Sequence, residues 1–246
     1  MSGLPHFTLV VPAYNESELL PRLLASVEQA RDRYRGGRET IEIVVADNTS
    51  TDDTAHIAHE AGCRVQSVSK RCIASARNGG ASVARGEILC FVDADSIVHP
   101  ETFNVIADGL TELIVAGTTG VVPERWSLGL RVTYALLLPA LWLLDMDAGV
   151  VFCRRADFRT IDGYDEERLF AEDVDFLWRF RSLGKNRSPR QKLARLNGAR
   201  TLTSTRKYEK YGQWHFLTLL LKHGVLLLLR PQSTEAFAQR YWYQDR

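Results

Sequence analysis

The sequence predicts an α/β fold, a mostly parallel central sheet covered by helices on both faces, and three observations carry that expectation. Short, continuously apolar runs rich in β-branched residues occur at 7–13, 40–46 and 87–93. Strands buried on both faces read this way, without polar alternation. Between the runs lie segments whose apolar residues recur every three or four positions, the period of an amphipathic helix. The two kinds of segment alternate over the first 100 or so residues, as they do where crossover helices join parallel strands.

"FTLVVPA" (7–13) is the first strand. In "SELLPRLLASVEQARDR", Leu19, Leu20, Leu23, Leu24 and Val27 share one helical face, with Ser17 available as N-cap. "TIEIVVA" (40–46) is the second strand, and "STDDTAHIAHEAG" a helix opened by Ser50 or Thr51 and closed at Gly62. "CRVQSV" reads as a third strand, "IASARNGGASVARG" as a short helix with a soft glycine middle, and "EILCFVD" as the fourth strand. Pro100 marks a helix start ahead of Phe103, Ile106, Leu110 and Leu113. Beyond residue 116, the strands "GTTGVVPE" and "GVVFCRR" flank an apolar helix around 130–144. "AEDVDFLWRFRSLG" is a helix that begins with acids and ends on Gly184. With no repeat, low-complexity tract or linker, one domain over 1–246 is expected.

At 246 residues, 45% hydrophobic and 25% charged, the chain has the make-up of a globular domain with a full core. A net charge of +1 speaks against nucleic acid as a partner. Cys63, Cys72, Cys90 and Cys153 lack paired spacing, so neither a disulfide framework nor a zinc site is expected; Cys90 and Cys153 read as core residues. The N-terminal stretch has no secretory pattern, and the expected location is the cytoplasm. Two apolar stretches, 132–144 and 216–229, fall short of the roughly 20 residues that span a bilayer. They read either as buried helices or as helices in the membrane interface.

The fourth strand runs straight into Asp93 and Asp95. In open parallel sheets, ligands bind beyond the carboxyl ends of the strands, where "PAYNE" and "DNTSTD" also fall. Two acids one residue apart in a turn suit Mg²⁺ or Mn²⁺, which keep water and phosphate as further ligands; the same acids also serve as caps and turn formers. No GxxxxGKS or GxGxxG loop is present to cradle phosphates through backbone amides, which favours a metal-held nucleotide. Glu172, Asp173 and Asp175 open a helix, where the dipole favours acids and would hold Asp173 ionised as a base. Spacing alone leaves the structural and the catalytic readings of this cluster open.

"VVPAYNESELLPRLLASV", "EIVVADNTSTDDT", "ARNGGASVARGEILCFVDADSIVHP", "GVVFCRRADFRTIDGYDE" and "FAEDVDFLWRFRSLGK", in that order, resemble the inverting family-2 glycosyltransferases of bacterial type, with the GT-A fold. The resemblance covers residues 7–185, and "TLTSTRKYEKYGQWHFLTLLL" extends it to about 221. It implies a nucleotide-sugar half (about 1–115), an acceptor half (about 116–205) and an apolar helical tail (about 206–246). It further implies that Pro12, Tyr14, Asn15 and Glu16 line the nucleoside pocket, with Tyr14 on the base, and that Asp47 and Asn48 flank base and ribose. Arg77 would reach the nucleotide or its phosphates, or serve structurally. Asp93 would contact ribose or metal, Asp95 the metal (Mn²⁺ or Mg²⁺), Asp173 would be the general base, and Glu172 would assist the acceptor. Arg206 and Lys207 would close over the diphosphate, or be a plain surface pair.

Many relatives carry Asp where this chain has Asn48, which bears on UDP against GDP or dTDP as the donor nucleotide. The QxxRW motif of processive synthases is absent, so one sugar per acceptor is expected. The implied reaction is metal-dependent transfer, with inversion, from a nucleotide-diphosphate sugar to a hydroxyl acceptor. The apolar stretches would either shape a groove for a lipid-linked acceptor at the inner membrane face, or complete the core and a homodimer contact. A silent sugar-nucleotide-binding subunit is the alternative; a nucleotidyltransferase is disfavoured because "VVPAYNE" lacks that class's glycine-rich loop and lysine.

Overall fold

The computed structural model describes residues 5–144, 149–168, 172–214 and 217, and the side chains of all of these except 137–144 and Lys207. Most of the expected tail, including all of the apolar stretch 216–229 but residue 217, therefore lies outside the described residues.

The elements follow in the order β1 (Phe7–Ala13), α1 (Leu20–Arg33), β2 (Ile41–Asp47), α2 (Thr54–Glu60), β3 (Arg64–Ser67), α3 (Ile73–Val83), β4 (Ile88–Phe91), β5 (Ser96–Ile97) and α4 (Thr102–Gly109). Then come β6 (Ile114–Pro123), α5 (Leu128–Leu144), β7 (Val151–Arg154), α6 (Arg155–Thr160), α7 (Glu172–Lys185), β8 (Lys192–Thr203) and α8 (Arg206–Tyr211).

The strands form one sheet in the order β3-β2-β1-β4-β7-β6-β8-β5. β1 lies between β2 and β4, parallel to both, with Phe7 level with Ile41 and Ile88. That central position is why every residue of β1 is buried. Among the described strands, β7 and β5 run against the common direction. Alternate residues feed two cores: Leu9, Val11 and Cys90 pack with Leu20, Leu23, Val27, Phe103 and Ile106 on one face. Val10, Leu89 and Phe91 pack with Ala74, Phe158, Phe176 and Phe180 on the other. The four cysteines are free and buried.

Two helix starts differ from expectation, for one reason. α1 begins at Leu20, with Pro21 in its first turn and no side-chain cap, while the Ser17 amide donates to Asp52 Oδ2 at 3.1 Å. α2 begins at Thr54; Ser50 Oγ accepts from the Asn15 amide at 3.0 Å, and the Thr51 amide donates to Asn15 Oδ1 at 2.8 Å. The residues that look like caps instead tie the loops after β1 and β2 to each other.

β8 is absent from the sequence reading. It carries Lys192, Arg195 and Arg200, is interrupted by Asn197-Gly198, and is largely half-exposed, so it lacks the apolar run that marks the other strands. Its end pairs with β5, with Ser96 level with Thr203, which draws the start of α8 towards the residues that follow β4.

Candidate active site

The carboxyl ends of β1, β2 and β4 converge. Pro12 lies in β1 opposite Ala46, and Asp47 closes β2 and accepts from the Ser50 amide at 3.3 Å. Asn15 takes a left-handed backbone conformation (φ 51°), one of the few that non-glycine residues such as Asn adopt there. The Tyr14 ring faces the Arg71 guanidinium at 4.0 Å. Asn48 is buried and donates both amide hydrogens, to Val68 O at 2.9 Å and Lys70 O at 2.8 Å, fixing the loop beside it.

Arg77, on α3, is only 4% exposed and stands between three acids. Its Nη1 donates to Glu172 Oε1 at 3.0 Å and Asp173 Oδ1 at 2.8 Å, and its Nη2 to Asp93 Oδ1 at 3.2 Å. The Tyr164 hydroxyl also donates to Asp173 Oδ1, at 3.2 Å. The Tyr164 ring lies flat against Phe176 (centroids 3.9 Å apart, planes 2° apart), and the guanidinium of Arg77 sits 5.0 Å from its centre. The acid-rich first turn of α7 is thus seated on an aromatic floor and held by one cation.

Burial dominates the electrostatics. It raises the Asp173 carboxyl above the usual carboxylate range; Arg77 pulls it back and Asp93 adds to the rise. It raises Glu172 as well, and with the charge of Asp173 opposing Arg77 that carboxyl is pushed up to about 7. The helix dipole had been expected to favour the ionised acids, but desolvation outweighs it here. Asp175 faces elsewhere, paired with Arg179 at 2.7 Å and Arg168 at 3.4 Å.

A second cluster forms at Arg206, brought in by the β5–β8 pairing. Its Nη2 lies 2.5 Å from Oε1 of the buried Glu16 and 3.6 Å from Asp95 Oδ2. The side chain of Lys207 lies outside the described residues. Among the described residues, no group of three or more His, Cys, Asp or Glu could by itself hold a metal ion. Asp93 and Asp95, hard oxygen donors with side chains 52% and 17% exposed, instead fit a cation that would complete its shell with phosphate and water.

The candidate residues therefore fall into three sets: the loops after β1 and β2 with the strand ends beside them (Pro12, Tyr14, Asn15, Asp47, Asn48), the cluster on Arg77 (Asp93, Glu172, Asp173), and the cluster on Arg206 (Glu16, Asp95). Sequence reading assigned nothing to Tyr164 or Arg71. Tyr164 did lie inside a motif that was noticed, "DGYDE", and a tyrosine among acids ahead of an acidic helix start was its available signal.

Residues 8–132, half of the chain, match Glycosyl transferase family 2. A validoxylamine A glucosyltransferase of Streptomyces hygroscopicus subsp. jinggangensis (strain 5008) is 31% identical over 134 residues, which is 52% of this chain and 29% of the relative. The chain spans about a third of the length of the first curated relatives it matches. S. aureus TarS 1-349 in complex with UDP-GlcNAc superposes with a TM-score of 0.60 at 21% identity, over 81% of this chain and 58% of that one. The mannosyltransferase PcManGT from Pyrobaculum calidifontis, in complex with GDP-Man and Mn²⁺, gives 0.62 at 18% identity, over 85% and 60%. These structures share the GT-A-like fold, and the family match over half of its length shows that the chain belongs to glycosyl transferase family 2.

Proposed function

We propose that the chain transfers one sugar per acceptor from a nucleotide-diphosphate sugar to a hydroxyl group, with inversion at the anomeric carbon. The supporting observation is the run of contacts Asp173–Arg77–Asp93, which links the candidate base on α7 to the acids that end β4. Arg77 and Tyr164 both donate to Oδ1 of Asp173 and so turn Oδ2 towards an acceptor hydroxyl. Asp173 takes the hydroxyl proton as oxygen attacks the sugar, and its raised proton affinity brings it nearer the operating pH, as a general base requires. Glu172, beside it, orients the acceptor. Asp93 and Asp95 would hold Mn²⁺ or Mg²⁺, which when bound would supply positive charge to the departing diphosphate, and Arg206 would shield the same group.

On the nucleoside side, Asn48 spends both N–H groups on Val68 and Lys70, which leaves its carbonyl to accept from a base N–H. Uracil, thymine and guanine all offer one, in keeping with UDP, dTDP or GDP as carrier. For the acceptor, α5 supports a lipid-linked molecule at a membrane surface. Leu128 (67% exposed), Val132 and Leu136 (64% exposed) form one solvent-facing stripe at four-residue spacing, with Trp126 close by.

The test is turnover of UDP-, GDP- and dTDP-sugars with and without Mn²⁺. Asp173→Asn is expected to lower turnover by about 10²- to 10⁴-fold while donor binding persists. Asp95→Ala is expected to abolish the metal-dependent part of donor binding. Near-normal turnover in both variants removes the assignment; binding without any turnover favours the silent subunit.

A further inference from the structure

At the opposite end of the strands from the candidate site, a cavity of about 540 Å³ opens between the last turns of α7, the loop after it, and the starts of β6 and β8. Four cations, Arg181, Lys185, Arg190 and Lys192, line it over apolar contributions from Leu113 and Leu193. Among the described residues none of the four takes part in an ion pair, whereas many surface arginines elsewhere do, as in Arg22–Glu124, Arg35–Asp108 and Arg85–Glu42. Even Arg187, in the same loop, is committed to Asp157. The negative end of the α7 dipole accounts for Lys185, but not for Arg190 and Lys192, which come from the loop and from β8. In a chain with a net charge of +1, four unmatched cations around one concavity are a local concentration of charge.

Along α7, Arg181 and Lys185 of this cavity lie about 12 and 18 Å from Asp173. Its volume falls in the range of small-molecule sites, about 300–1,000 Å³. α5 follows the far end of β6 from this cavity. We propose that the cavity binds a soluble small molecule carrying two or more phosphate groups, at a site separate from the donor site.

The experiment is calorimetric titration of the full chain with pyrophosphate, at physiological ionic strength and with EDTA to strip divalent metal. Wild type is expected to bind one pyrophosphate. The double variant Lys185→Glu/Lys192→Glu is expected to bind it at least about tenfold more weakly, and Arg206→Ala to bind it unchanged. If the charge reversal unfolds the chain by circular dichroism, Lys185→Gln/Arg190→Gln carries the same expectation. Undiminished binding in the folded cavity variant, or loss in Arg206→Ala, overturns the proposal. So does inorganic phosphate binding as tightly as pyrophosphate, since two phosphates are then not required. Wild type that ignores pyrophosphate but sediments with phosphatidylglycerol vesicles overturns the soluble source in favour of a lipid headgroup.

Discussion

Around Arg77 one guanidinium faces Asp93, Glu172 and Asp173, and that imbalance of charge has a pH signature. Glu172 ionises near 4.5 in the open chain and at about 7 in the fold. Between those values the folded protein holds an extra proton, so this contribution to stability is full below about 4.5 and lost as pH rises to about 7. Glu172→Gln keeps an acceptor for Arg77 without the buried charge. It is expected to raise stability by up to a few kcal/mol near pH 8 and to match wild type near pH 4, as read in thermal melts. An equal effect at both pH values would place the cost elsewhere. Asn48 offers a second test. Both of its amide hydrogens hold backbone carbonyls. Asn48→Asp would set a carboxylate against two carbonyl oxygens, at an expected cost of about 1–3 kcal/mol measured by denaturant unfolding. At this scale the acids were legible because they sit in recognisable motifs. Their shared contact with Arg77 was not, since it joins positions 95 and 96 residues apart.

Among the elements, α3 shows how a local signal can be seen and misread. The glycines of "ARNGGAS" read as a soft helix middle, but they are where the helix meets the sheet. A Cβ on Gly80 would lie 2.4 Å from Val10 Cγ1 and 3.3 Å from Ala46 Cβ. Close approach to β1 and β2 is thus what seats the helix that carries Arg77. Gly80→Ala is expected to lose about 1–3 kcal/mol despite the better helix propensity of Ala, and to lower donor turnover by displacing Arg77. A variant that gains stability in urea titration would mean that α3 is not tightly seated. The buried strands were readable because apolar runs announce them. β8 was not, because a half-exposed strand with basic residues and an Asn-Gly break has no such run. Without β8 there was no means of bringing Arg206 to Glu16, 190 positions away in the chain.

Taken whole, the molecule sets its candidate site between a parallel-stranded half that supplies the loops after β1, β2 and β4 and a later half that supplies α7 and Arg206. A nucleoside diphosphate bound there touches both, so it should stabilise the fold as a unit. At a ligand concentration about 100-fold above Kd the gain is about 2.7 kcal/mol, and each kcal/mol moves Tm by about 2–4 °C in a chain of this size. One of UDP, GDP and dTDP is therefore expected to raise Tm by about 5–10 °C with Mn²⁺ and much less with EDTA. The rise should vanish in Asp95→Ala, whose carboxylate lies in the Arg206 cluster. A metal-independent rise that survives Asp95→Ala would put the diphosphate outside these loops. The basic cavity at the other end of the strands is then its natural place, and Lys185→Glu/Lys192→Glu would remove the rise where Asp95→Ala had not.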